Sequence, residues 1–295
     1  MLRRPVALLL ALVVTAYAGC SSDDEPEPLP ARGVGEPTGV GSPYPEYVAL
    51  GDSYTAAPLV PPTDTSTTCL RSERNYPALV TEGLPGTRLT DVSCGGATTT
   101  DMTQPQQGQQ GSVPPQFDAL EESTDLVTIG LGGNDGGLFG TMILRCTILA
   151  SQQPEGTPCT GELGPTVDGT LARIRQSLEQ VVAGVRERSP EARVLLVGYP
   201  QIVPASGSCP ALPLAPGDYP FVRTVNERLT QAVAQAARAT DAEYVDVWSA
   251  SAGHDICAPD PWINGKDTQL DRALAFHPFA AEQRAVADLV LDLVR

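Results

Sequence analysis

Glu46-Tyr47-Val48-Ala49-Leu50-Gly51-Asp52-Ser53-Tyr54-Thr55 is an apolar run that stops abruptly at a glycine, an aspartate and a serine. Residues 48–50 read as a short buried strand, and Gly51-Asp52-Ser53 is where a backbone turns out of a sheet and presents a hydroxyl. Such a hydroxyl is unreactive unless a base removes its proton and N–H groups receive the oxyanion formed on attack at a carbonyl. Working outward, residues 47–50, 88–92, 126–129, 194–197 and 244–247 read as five strands. Helical patterns lie between and after them at 75–82, 167–188, 221–240 and 278–294, the last with Ala281, Ala285, Leu289 and Val290 at helical spacing. Strands alternating with helices predict an α/β fold with a parallel sheet covered on both faces, because parallel strands need crossover connections. Ligands collect at the carboxyl ends of such strands, so the residues that matter should follow strands.

Composition narrows the function. The 295 residues are 41% apolar and 18% charged, enough for one full core and one domain. The formal charge of −16 becomes −18 without residues 1–19, since Arg3 and Arg4 are the only charges there. An acidic chain repels phosphate backbones, which argues against nucleic acid as a partner. Only His254 and His277 can supply imidazole chemistry.

Met1-Leu2-Arg3-Arg4 and the apolar run 5–18 have the layout of a bacterial export signal, too short for an ordinary spanning helix. Ala16-Tyr17-Ala18 fits a cut before Gly19 and a freely secreted protein. Ala18-Gly19-Cys20 instead resembles the end of a lipobox in which Cys20 is lipidated, although Tyr17 stands where leucine is usual. Cysteine parity favours the anchor: of seven cysteines, Cys20 stands apart from Cys69, Cys94, Cys146, Cys159, Cys209 and Cys257, which form the candidate disulfide set. No C-x-x-C occurs and histidine is scarce, so no metal site is expected. Residues 20–45, rich in proline and glycine and carrying Asp23-Asp24-Glu25-Glu27, read as a disordered tether, with the folded domain at 46–295.

Three stretches follow strands one to three: Gly51-Asp52-Ser53, Ser93-Cys94-Gly95-Gly96-Ala97-Thr98 and Gly130-Leu131-Gly132-Gly133-Asn134-Asp135. His277-Pro278 opens the last helical pattern. Ser53 is the candidate nucleophile and His277 the base, with the N–H groups of Ser53 and Gly96 and the amide of Asn134 as oxyanion donors. Glycine lets a carbonyl approach the backbone, and asparagine donates without titrating. Each piece alone is common turn or helix-start chemistry; their order, each after the right kind of element, is what points to a site. Ser93 competes through Asp91-Val92-Ser93-Cys94-Gly95, one residue from a G-x-S-x-G elbow, but Asp91 occupies the first glycine position. His254, in a Gly/Pro-rich loop, reads as structural or as part of the site rim, with Asp255 holding that loop.

The order Ser53, Gly96, Asn134, His277, set in GDSYT, CGGATT, GGND and HP, resembles the SGNH, or GDSL, hydrolases, most of all the secreted actinobacterial esterase and lipase branch with six cysteines. The likeness spans residues 46–295 and includes Gly198-Tyr199-Pro200, Gly253-His254-Asp255-Ile256-Cys257 and Pro261-Trp262-Ile263-Asn264-Gly265. It implies a three-layer α/β/α sandwich with a five-stranded parallel sheet, flavodoxin-like in arrangement, and ester hydrolysis without a cofactor. It also implies the pairs Cys69–Cys94, Cys146–Cys159 and Cys209–Cys257. Two positions depart from the pattern. Ala57 stands where many relatives have glycine. Leu274 stands where many place an aspartate, so either Asp271 or a main-chain carbonyl near Leu274 orients the imidazole; the carbonyl, and hence a Ser–His dyad, is the favoured reading.

The expected activity is that of an exported serine esterase or lipase cleaving acyl esters through an acyl-enzyme, falling as histidine protonates below about pH 6–7. A monomer is expected, with an ester as substrate. The rival readings are a non-catalytic envelope- or carbohydrate-binding lipoprotein on the same fold and an acetyl esterase acting on polysaccharide. Specificity would lie in the loops 55–74, 99–121, 138–163 and 203–220.

Overall fold

A computed structural model describes residues 41–295, which form one compact unit. The export signal, Cys20 and residues 20–40 of the tether lie outside the described residues. Strands β1 (Glu46–Gly51), β2 (Arg88–Asp91), β5 (Leu126–Gly130), β6 (Arg193–Val197) and β7 (Glu243–Val245) form the sheet; β3 (Gln106–Gly108) and β4 (Gly111–Val113) make a separate antiparallel hairpin. The helices are α1 (Ser53–Ala56), α2 (Tyr76–Gly83), α3 (Cys146–Gln152), α4 (Pro158–Arg188), α5 (Tyr219–Ala239), α6 (Val247–Ala250) and α7 (Ala280–Val294).

The sheet runs β2-β1-β5-β6-β7, every pair parallel. Side chains alternate across it as the two-residue period of a strand requires. Val48, Leu50, Val127 and Ile129 face the layer that contains Ile174 and Leu178 of α4 and Val225 and Leu229 of α5. Tyr47, Ala49 and Leu126 face Leu79 and Val80 of α2 and Val286 and Val290 of α7. The expected three-layer sandwich is therefore what the chain adopts. Its strand order places the reversal between β1 and β5, and the crevice beyond their carboxyl ends is where such sheets hold ligands.

Several boundaries differ from the sequence reading. The domain starts before Glu46: Ser42 Oγ meets Thr87 Oγ1 at 2.6 Å, and Arg193 donates to Tyr44 Oη at 2.7 Å. Helix α4 begins at Pro158, not at 167, despite Gly161, Gly164 and Pro165 in its first turns. What sustains that start is distant in sequence: the Asp218 carboxylate accepts from the N–H groups of Cys159 (2.9 Å) and Thr160 (2.8 Å), satisfying donors that a local cap would otherwise take. Helix α7 begins at Ala280, so His277-Pro278 belong to the loop before it. The cysteines pair as Cys69–Cys94, Cys146–Cys159 and Cys209–Cys257.

Candidate active site

Ser53 is the first residue of α1, immediately beyond β1. Asp52 caps that turn by accepting from the N–H of Tyr54 at 2.8 Å. The close turn depends on missing side chains. A Cβ at Gly51 would sit 2.2 Å from Thr55 Oγ1, and one at Gly130, on the neighbouring strand, 2.4 Å from the same atom. Thr55 thus packs into the space two glycines leave at the sheet edge. Ala57, where relatives have glycine, takes the left-handed conformation (φ 53°) and donates to Ser53 O at 2.9 Å. The departure leaves the turn intact at a cost of about 1 kcal/mol in backbone strain.

His277 Nε2 lies 2.9 Å from Ser53 Oγ, although the two residues are separated by most of the domain in sequence. Its Nδ1 lies 2.7 Å from the carbonyl oxygen of Ala275. A carbonyl only accepts, so Nδ1 carries the hydrogen and Nε2 is the free base facing the hydroxyl. Burial lowers the imidazole pKa below its ordinary value, and the Ala275 hydrogen bond opposes that shift.

The orienting group is therefore a main-chain carbonyl, but not that of Leu274. Leu274 O is occupied by the N–H of His277 (3.2 Å) and by Asn264 Nδ2 (3.1 Å). Phe276, at φ 61°, twists the chain so that the next carbonyl, Ala275 O, turns toward the ring. Asp271 is exposed on the same loop and forms no hydrogen bond or ion pair. Asn264, fully buried, fixes the loop: its Nδ2 lies 2.9, 3.0 and 3.1 Å from the carbonyls of Asp267, Ala273 and Leu274, and its N–H donates to His277 O at 2.9 Å. Tyr54 supplies the second pin, donating from Oη to Phe276 O at 2.9 Å while its ring centroid lies 5.7 Å from that of His277.

The oxyanion candidates come from three loops that are bonded to one another. Asn134 Nδ2 donates to Ala97 O at 3.0 Å, one residue beyond Gly96. Asp135 accepts from the N–H and hydroxyl of Thr99. Tyr199 Oη donates to Asp52 at 2.6 Å and accepts from the N–H of Gly133 at 2.8 Å, so a single phenol joins the nucleophile turn to the asparagine loop. Asp52 is fully buried, and burial pushes its pKa up to about 7 against the hydrogen bonds it accepts from Tyr199 Oη and Tyr54 N–H. Gln116 closes the strand end with a reciprocal pair to Gly51, 2.8 Å from its N–H and 2.9 Å from its carbonyl. Gly96 (φ 77°) is exposed, and neither its N–H nor that of Ser53 donates to a protein acceptor. Both are free for a substrate oxygen.

A cleft of about 290 Å³ opens at this point, lined by Ser53, Asn134 and His277 with Phe139, Ile143 and Leu144 forming an apolar wall. That wall comes from Phe139 and the π-helical run it precedes, Gly140–Arg145, leading into α3, inside a segment read from sequence only as a loop. Other candidates lie elsewhere. Ser93 is fully buried, its hydroxyl donating to Asp91 at 2.7 Å, a structural bond and not a nucleophile's exposure. His254 stacks on Trp262 at 4.4 Å and lines no part of the cleft, and Asp255 holds the Cys257 N–H at 2.8 Å within that loop. Among the described residues, no group of three or more His, Cys, Asp or Glu side chains is placed to hold a metal ion.

Comparison with known proteins gives the family. The sequence model of the GDSL-like lipase/acylhydrolase family matches residues 49–285. Lipase 2 of Streptomyces coelicolor is 39% identical over 302 residues, covering 99% of this chain and 97% of that protein. A lipase of Streptomyces rimosus is 29% identical over 81% of this chain and 82% of its own length. Among solved structures, phospholipase A1 from Streptomyces albidoflavus NA297 superposes with a TM-score of 0.70 at 28% identity, covering 85% of this chain and all of that one.

Proposed function

Because the chain belongs to the GDSL-like lipase/acylhydrolase family and is a carboxylic ester hydrolase, we propose that it works through an acyl-enzyme on Ser53 with His277 as its only side-chain base. The observation that carries this reading is the 2.9 Å contact between Ser53 Oγ and the unprotonated Nε2 of His277. Ser53 Oγ attacks the ester carbonyl while Nε2 takes its proton, and the tetrahedral oxyanion is received by the N–H groups of Ser53 and Gly96 and by Asn134 Nδ2. The C–O bond then breaks as Nε2 returns the proton to the departing alcohol. A water, deprotonated by the same nitrogen, attacks the acyl carbon and releases Ser53.

The apolar wall of Phe139, Ile143 and Leu144 supports an acyl chain longer than acetyl, which puts lipid acyl esters ahead of acetylated polysaccharide. The names of the relatives, lipase and phospholipase A1, point the same way. The export signal read at residues 1–19 supports action outside the cytoplasm, with Cys20 as the anchoring residue if it is lipidated. No helix among the described residues is long and apolar enough to cross a membrane.

The pH profile tests the dyad. Only neutral Nε2 accepts the serine proton, so kcat/KM falls as pH drops through the imidazole pKa. Because burial depresses that pKa, the acid limb should lie below the ordinary histidine value of about 6.5. Asp271→Asn should leave both the rate and the limb unchanged. A limb shifted downward together with a collapse of kcat in that variant would make Asp271 the third member of a triad, and the carbonyl reading would fall.

A further inference from the structure

Four large apolar side chains stand exposed among the described residues: Leu144 (62%), Ile148 (40%), Leu270 (81%) and Leu293 (37%). Single exposed leucines are ordinary on any protein surface. Here, however, three of the four fall on the two segments that bound the catalytic cleft. Leu144 lines the cleft and is itself mostly exposed, so the apolar wall runs from the reacting atoms out to the surface. Ile148 follows four residues later, in α3, and continues the stripe. Leu270 lies on the loop between Asn264 and His277, which brings Ala275 and Phe276 to the cleft.

The charges beside these residues balance in sign: Asp271 and Arg272, next to Leu270, are one anion and one cation without an ion pair, and the others are paired. Arg145 is paired with Glu162 at 2.7 Å, and Lys266 with Asp267 at 2.7 Å. The chain as a whole carries −16. An anionic surface would repel such a molecule, and nothing at the mouth of the cleft compensates. An apolar rim that continues the acyl wall, has no net charge of its own and belongs to an acidic protein fits an uncharged or zwitterionic lipid surface. We propose that Leu144, Ile148 and Leu270 insert into such a surface, so that an acyl chain passes from lipid into the cleft without crossing water. The proposal rests on the reading of the Ser53–His277 cleft as the acyl site. Each inserted side chain is expected to be worth roughly tenfold in partition, so attachment through the rim alone is weak and reversible.

The test uses the chain from residue 20 onward carrying C20S and S53A, which removes any acyl anchor and prevents hydrolysis from consuming the lipid. Partition is measured by cosedimentation with phosphatidylcholine vesicles and with vesicles rich in phosphatidylglycerol. Binding to phosphatidylcholine is expected, weaker binding to the anionic vesicles, and a loss of tenfold or more on adding I148S and L270S. Equal binding with and without those two substitutions, no binding at all, or binding only to phosphatidylglycerol would overturn the proposal. So would a dimer of the free protein that I148S and L270S dissolve, since a second copy would then cover the rim. With Ser53 restored, the I148S/L270S variant should hydrolyse monomeric p-nitrophenyl acetate at the unsubstituted rate. If the unsubstituted protein fails to hydrolyse that ester, the Ser–His reading falls, while the vesicle measurements still decide the docking surface.

Discussion

Ser53→Ala is expected to lower kcat by roughly 10⁴- to 10⁶-fold and to abolish labelling by a fluorophosphonate. The size follows from what the hydroxyl does. Without it no acyl-enzyme forms, and only binding and the oxyanion donors remain to assist direct attack by water. The fold should be indifferent to the change. Ser53 Oγ bonds only to His277, whereas the turn is held by Asp52 at Tyr54 N–H, by Ala57 N–H at Ser53 O, and by Thr55 between Gly51 and Gly130. Melting temperature should therefore move little while turnover disappears. Labelling that survives in this variant would place the nucleophile elsewhere, and Ser93 offers no refuge because its buried hydroxyl is already committed to Asp91.

The parts of this site that were legible in the sequence are those made by local chemistry. An apolar triplet ending in Gly51-Asp52-Ser53 can hardly be anything but a strand running into a turn, and each of the three loops that matter follows a strand. The strand order, and with it the switch point between β1 and β5, came only from the structure. What could not be read are bonds between residues far apart in the chain. Tyr199 stood out only as part of a Gly-Tyr-Pro stretch, yet its phenol joins Asp52 to Gly133. Asn264 stood out only within the Pro261–Gly265 stretch and proves to be the buried clamp of the histidine loop.

The same limit explains why the orienting carbonyl could be placed near Leu274 but not assigned to Ala275. Counting three residues back from His277 finds where relatives carry an acid, but which carbonyl faces the ring depends on the left-handed twist at Phe276 and on two donors already holding Leu274 O. Helix α4 is a parallel case. Its early glycines and Pro165 argue against a helix on propensity alone, and tertiary capping by Asp218 overrides them.

Asn134→Ala should cost about 10²- to 10³-fold in kcat with KM nearly unchanged. One of its amide hydrogens is spent on Ala97 O at 3.0 Å, which leaves the other for the cleft that Asn134 and Ser53 line. A ground-state ester carbonyl carries little charge and has little need of that donor; the tetrahedral oxyanion has full need of it, so the loss should appear in kcat. Asn134→Asp sharpens the test. A carboxylate keeps the size of the side chain but can no longer donate to Ala97 O, and it sets a negative charge against the one that develops on the substrate. It should therefore be worse than alanine near neutral pH, where the carboxyl is ionised. If instead aspartate and alanine are equally impaired at every pH, or if the loss falls on KM, Asn134 is only packing the Gly96 loop and the oxyanion rests on the two backbone donors alone.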